Sequence, residues 1–292
     1  MSPNLLRAWE RRYEVVEPGR SAGGQRLYSD ADVERILLLR RASDAGRTIG
    51  SLAGLGNAEL QRLLDEDRAA QEELEGREPG PEGASEQVRA ALDAVEALDP
   101  AGLERILRRE VVSLGADRFL EDLVTPVLVS IGQGWRLGRL RPAHEHVAVA
   151  VIKQVLGWML ERARSTSTGP TLVMGTLTGE RHELGALLAA TAAALEGWNV
   201  VFMGQDLPPE EIALTARSVK ADVVGISVVN PTDWEELPRQ IVSLVAELPT
   251  GVPVFLGGAA ATDTARLVAD LRVRAVASLG DFRSLLRERA DS

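Results

Sequence analysis

TLVMGTLTGERHELG, residues Thr171–Gly185, joins a short apolar run to a charged turn and then to a glycine where a helix begins. Thr171–Met174 is short and apolar, as a strand covered on both faces should be. Similar runs recur at Asn199–Met203 (NVVFM), Asp222–Val229 (DVVGISVV), Val252–Leu256 (VPVFL) and Val273–Ala277 (VRAVA), with helical stretches between them. Strand and helix in alternation predict a parallel sheet wrapped by helices.

Residues 169–290 therefore read as an α/β, flavodoxin-like, doubly wound parallel sheet, whose ligand belongs outside the carboxyl ends of the strands. Upstream the period changes. Val88, Leu92, Val95 and Leu98 recur at helical spacing, Asp99-Pro100 is an N-cap followed by a proline at the first helical position, and Gly115 and Gly132 to Gly138 punctuate further helices. Residues 87–166 are predicted to form a four-helix bundle. Residues 71–86 (QEELEGREPGPEGASE) carry almost no apolar side chains and read as a linker. Residues 1–70 form a separate module, so the chain is multidomain.

The hydrophobic share of 45% in 292 residues is enough for real cores. There is no cysteine, which excludes disulfides, thiolate metal sites and cysteine nucleophiles and suits a reducing cytoplasm. No stretch reads as a signal peptide, and no apolar run approaches the roughly 20 residues of a membrane span. A cytoplasmic protein without membrane contact is expected. The net charge of -10 argues against binding polyanions over the whole chain, though not through one small basic module.

Three features fall at predicted strand ends. Glu180-Arg181-His182-Glu183-Leu184-Gly185 follows the first strand, Ser227 lies late in the third, and Gly257-Gly258 follows the fourth. A neutral imidazole ligates transition metals well, and its second nitrogen usually donates to a carboxylate that fixes the tautomer. Glu180 is placed to be that carboxylate. Glycines at 185, 257 and 258 let backbone approach a bulky ligand, and Ser227 offers a small hydroxyl at a cavity edge. Taken singly, each is an ordinary loop residue. Together they resemble the cobalamin-binding domain family, whose signature is Asp-x-His-x-x-Gly, then Ser-x-Leu, then Gly-Gly. Here 41 residues separate Gly185 from Ser227 and 27 separate Val229 from Gly257, which matches the family spacing. Glu180 replaces the aspartate and Val229 the leucine. The resemblance implies that His182 is the metal ligand, reaching cobalt from below. It also implies that Glu180, Arg181, Gly185, Ser227, Val229, Gly257 and Gly258 line the cofactor.

In the bundle, Trp135 stands ten positions before the pair Glu145-His146. This resembles the Trp-x9-Glu-His motif of CarH-type regulators, photoreceptors that use adenosylcobalamin. The resemblance implies that Trp135, Glu145 and His146 cover the adenosyl group. That family has a histidine directly after the tryptophan, which binds cobalt from above after illumination. Here the position is Arg136, and a guanidinium cannot ligate a metal. His144 and His146 are the remaining imidazoles nearby. Light stays a candidate signal only.

The first 30 residues hold Arg7, Arg11, Arg12, Arg20 and Arg26. Ser2-Pro3 reads as a helix start, Leu5, Leu6 and Trp9 as one helix face, and Gly23-Gly24 as a hairpin tip. Ser29 or Asp30 then caps a helix containing Val33, Ile36, Leu37 and Leu39. A basic helix followed by a basic hairpin suits a winged helix-turn-helix. The runs Leu6 to Tyr13 and Arg26 to Ser29 resemble the MerR family. By that resemblance Arg7, Arg11, Arg12, Arg20, Arg26 and Tyr28 face DNA. The first helix that the family places before the recognition helix is not in this sequence. Either the start at Met1 lies too late or the module is truncated; a helix missing its partner should leave Leu5, Leu6 and Trp9 exposed.

Two readings follow. One is a non-enzymatic, cobalamin-dependent transcriptional regulator, acting as a repressor on an operator and binding DNA as a dimer or tetramer. The alternative is a corrinoid carrier of a methyltransferase system. The carrier would need His182 but neither the basic module nor the Trp135–Glu145 cap, so the regulator is favoured.

Overall fold

The computed structural model describes residues 9–10, 13, 15–16, 18–20, 26–44, 49–64, 85–164, 167–229, 231, 236–268 and 272–290. They fall into two compact units, residues 1–84 and 85–292. The expected capping at Ser2, the helix face at Leu5 and Leu6, the Gly23-Gly24 tip and most of the expected linker lie outside the described residues.

In the first unit, strand β1 (Gly19–Arg20) pairs antiparallel with β2 (Arg26–Leu27), forming the base of a hairpin. The helix Asp30–Asp44 follows. Ser29 and Asp32 cap its start reciprocally: Asp32 N–H donates to Ser29 Oγ at 3.2 Å, and Ser29 N–H donates to Asp32 Oδ2 at 2.8 Å. Trp9 is only 6% exposed and packs with Val15, Val16, Leu39, Leu52 and Leu60. The expectation of an exposed Trp9 is thus corrected, because the module buries this ring in a core of its own. Arg35 fastens that core by donating to the carbonyls of Val15 (2.6 Å), Leu55 (2.8 Å) and Ala53 (2.7 Å).

The second unit begins with helices. Ser85 caps Glu86–Glu96, and Asp99 caps Pro100–Leu114, its Oδ1 accepting Gly102 N–H at 2.8 Å. Gly115, at φ +78°, turns the chain into Ala116–Arg118. A π-helical turn, Phe119–Val124, leads into Thr125–Arg136. The long helix Pro142–Arg164 completes the bundle.

Five parallel strands follow: β3 (Thr171–Leu177), β4 (Asn199–Leu207), β5 (Val223–Ser227), β6 (Val254–Gly257) and β7 (Val273–Ala275). The sheet order β4-β3-β5-β6-β7 is the flavodoxin-like order. The chain changes winding direction between β3 and β5, which opens a crevice at their carboxyl ends. Leu184–Leu195 (LGALLAATAAAL) is apolar all round because it is covered twice, by the sheet and by the helix Pro142–Arg164. Its alanines permit that close approach. The bundle therefore sits on the sheet domain mainly against this helix, whose first turn adjoins the His182 loop. Among the described residues no helix is long and apolar enough to cross a membrane.

Candidate functional site

The loop from Thr178 to Glu183 leaves the carboxyl end of β3. Glu180 is 2% exposed within it, and its carboxylate is fully engaged. Oε1 accepts the backbone N–H of His182 at 2.9 Å and lies 2.5 Å from His182 Nδ1. Oε2 accepts the backbone N–H of Val229 at 2.8 Å, just beyond β5. A buried carboxylate is tolerated when its lone pairs are met in this way. The hydrogen bond assigns the imidazole proton to Nδ1, leaving the Nε2 lone pair for a ligand. The His182 side chain is 46% exposed. Its pKa is raised above 6.5, chiefly by the hydrogen bond to Glu180; burial opposes this, and the charges of Glu180 and Glu145 add to it. Glu145 belongs to the first turn of the helix Pro142–Arg164, so its field links bundle and loop.

The neighbouring strand ends form a cradle. Ser227 is 2% exposed, and its Oγ has no hydrogen-bond partner among the described residues. A Cβ at Gly185 would come within 2.9 Å of that Oγ. Gly258 adopts φ +101°, and a Cβ there would lie 2.4 Å from Val228 O. At Gly257 a Cβ would meet nothing within 4 Å. An orphaned buried hydroxyl beside backbone that excludes side chains fits a polar, bulky ligand. Among the described residues no group of three His, Cys, Asp or Glu could hold a bare metal ion. A single accessible imidazole therefore suits a metal that brings its own equatorial ligands.

On the bundle, Trp135 is 47% exposed at the end of Thr125–Arg136. Gly138, at φ +69°, ends that helix, and Leu140 packs back onto Gly134. His144 Nδ1 accepts Arg141 N–H at 3.0 Å, which commits that nitrogen to the start of its own helix. Glu145 is half-buried and His146 exposed, while the Arg136 side chain lies outside the described residues. Arg181 is exposed, with Nε 4.0 Å from Asp206 Oδ2. Sequence reasoning missed Lys153, whose Nζ meets Glu183 Oε1 at 2.6 Å and ties the long helix to the loop. It also missed Thr176 and Asp206, which bind that loop from behind. No local motif marks any of the three.

In the N-terminal unit, Arg26 Nε donates to Glu10 Oε2 at 2.8 Å, and Tyr28 OH donates to Glu10 Oε1. Both side chains thereby tie the hairpin to the segment carrying Trp9. Arg7, Arg11, Arg12 and the Arg20 side chain lie outside the described residues.

Residues 170–289 and 87–159 match B12 binding domain families, and residues 1–64 match the MerR HTH family of regulatory proteins. The HTH-type transcriptional repressor CarH of Myxococcus xanthus is 31% identical over 88% of this chain and 84% of its own length. The repressor CarA of the same organism is 26% identical over 91% of this chain and 85% of its own length. The monomethylamine corrinoid protein of Methanosarcina barkeri is similar in fold over 68% of this chain and 95% of that one, with a TM-score of 0.56 at 16% identity. The chain belongs to the CarH and CarA family of MerR-type transcriptional regulators that carry a cobalamin-binding domain.

Proposed function

We propose that this cobalamin-dependent regulator binds adenosylcobalamin between the His182 loop and the Trp135–Glu145 turn. His182 Nε2 serves as the protein ligand to cobalt. The observation that carries this is the doubly anchored Glu180 carboxylate, which holds His182 Nδ1 while the Ser227 hydroxyl beside it has no partner among the described residues. When bound, the corrinoid supplies a cobalt–carbon bond that light can break. The protein orients the imidazole, shapes the cradle with Gly185, Gly257 and Gly258, and covers the upper face with Trp135, Glu145 and His146.

Cofactor binding selects a dimeric or tetrameric state that presents paired N-terminal modules to an operator, as a population shift. Arg7, Arg11, Arg12, Arg20, Arg26 and Tyr28 are the DNA-facing residues proposed. Arg136, a guanidinium that stays protonated, would supply no ligand to cobalt. Gel shifts on the DNA upstream of its own gene, with adenosylcobalamin, without it, and after green light, test this reading. A shift that depends on the cofactor supports it, and no shift under any condition overturns it.

A further inference from the structure

The side chain of Glu180 is fixed by His182 and Val229, but its backbone needs its own support. Thr176, fully buried near the end of β3, provides it: Thr176 Oγ1 donates to Glu180 O at 2.6 Å. The same oxygen accepts Asp206 N–H at 3.0 Å from the end of β4. Asp206 then reaches back, its Oδ1 accepting Gly179 N–H at 2.8 Å. The loop is thus held at Gly179 and at Glu180, on either side of one peptide bond.

This arrangement depends on an irregular strand end. Met174 pairs with Phe202 and Leu177 with Leu207, so three steps on β3 (174 to 177) face five on β4 (202 to 207). The extra residues on β4 form a bulge, which turns Gly204 to φ +87° and Asp206 to φ +62°. Bulges next to sites re-aim side chains, and a left-handed non-glycine residue persists only where its surroundings demand it. Here the bulge turns the backbone N–H and the carboxylate of one residue onto the histidine loop. The contact from Arg181 to Asp206, at 4.0 Å and exposed, carries little of this.

We propose that Thr176 and Asp206 are positioning residues for His182, a relay from the β4 bulge that sets the imidazole's height above the sheet. This rests on the reading of His182 as the cobalt ligand.

The test uses the full chain in two forms. In the cofactor-free protein, hydrogen exchange is followed at residues 178–183. In protein labelled with 15N-histidine and loaded with cob(II)alamin, the nitrogen splitting of the EPR signal reports the histidine-ligated fraction. Thr176→Val and Asp206→Ala should speed loop exchange and lower cobalamin affinity and the ligated fraction by about 10-fold. Thr176→Ser and Asp206→Asn, which keep the hydrogen-bonding atoms, should restore both. Asp206→Gly removes the carboxylate while relieving the left-handed backbone, so it should fold well yet still lose ligation, which covers the case in which Thr176→Val fails to fold. Loop exchange and ligation unchanged in Asp206→Gly overturn the relay. His182→Ala is the control: if it keeps the label-dependent splitting, the ligand assignment itself fails.

Discussion

Glu180 Oε2 accepts the backbone N–H of Val229 at 2.8 Å, joining the loop after β3 to the end of β5 across the point where the sheet changes winding direction. The longer glutamate, standing where the family signature has aspartate, spans that gap while its other oxygen holds His182. Glu180→Ala should cost about 10–100-fold in cobalamin affinity, the usual effect of losing a carboxylate behind a ligating histidine. Glu180→Asp should lose either the Val229 contact or the His182 contacts and fall between. Titration followed by visible absorbance measures this, and affinities within twofold of the parent would refute it.

On the proposed ligation, proton and cobalt compete for His182. Its pKa in the folded protein is raised, mainly by the hydrogen bond to Glu180. Protonation therefore stabilises the cofactor-free fold; that contribution is complete below the unfolded value and is lost as pH rises through the folded one. Ligation should run the opposite way. Affinity should fall up to tenfold per pH unit once pH drops below a midpoint above 6.5. Glu180→Gln, which removes the charge and the strongest acceptor, should shift that midpoint downward. NMR titration of the His182 ring in the cofactor-free protein checks the sign; a midpoint unmoved by Glu180→Gln would contradict it.

Arg283 holds the bundle to the sheet domain. Its side chain, 9% exposed, meets Asp117 at 2.7 Å, Glu121 at 3.0 Å and Glu196 at 2.6 Å. These carboxylates hold the guanidinium in its charged form despite burial. Arg283→Met should destabilise the chain by about 3 kcal/mol, the low end for a broken buried pair because Asp117 and Glu121 keep contact with water. Arg283→Lys should recover only part, since one ammonium cannot reach three carboxylates in fork geometry. Urea unfolding measures both, and an unchanged midpoint for Arg283→Met would remove the clamp.

Much of this architecture is legible in the sequence, and the exceptions have physical reasons. The apolar runs at Thr171 and Asn199 mark β3 and β4, but β3 continues through Gly175 to Leu177 and β4 through Gly204 to Leu207. Those extensions are stabilised by a bulge and a buried hydroxyl rather than by apolar periodicity. The spacing of Glu180, His182, Gly185 and Ser227 points to one candidate site, and the structure brings these residues together because they share two adjacent strand ends. Thr176 and Asp206 escape notice because they meet only through the β3–β4 pairing, and neither residue type is unusual alone. Arg283 looks like one more surface arginine until the helix Leu279–Ala290 brings it against Glu196. Trp9 appears stranded in a short basic segment, yet it is buried in one cluster with Leu39 and Leu52.

Gly258 should not tolerate a side chain. Its φ of +101° is costly for any L-residue, and a Cβ would lie 2.4 Å from Val228 O, a backbone atom that also accepts Ala260 N–H at 3.1 Å. Gly258→Ala should cost about 2 kcal/mol or more and widen the cradle beside Ser227. Thermal unfolding with and without cobalamin separates the two effects. A Gly258→Ala protein with unchanged Tm and affinity would show that this turn relaxes freely.

Arg26 and Glu10 give a sharper test of the N-terminal module than charge counting does. Glu10 holds Nε of Arg26 at 2.8 Å and also takes the Tyr28 hydroxyl, so the arginine is aimed rather than free to wander. An aimed guanidinium that meets a phosphate releases about one counterion on binding. Arg26→Gln should therefore weaken binding similarly on different sequences and reduce the slope of log affinity against log salt by about 1. Glu10→Gln keeps the arginine's charge and should leave that slope near the parent value while lowering the stability of the hairpin. Gel shifts over a salt series measure the slopes. An Arg26→Gln slope equal to the parent's would mean that this arginine serves the fold alone, with the phosphate contact supplied from elsewhere.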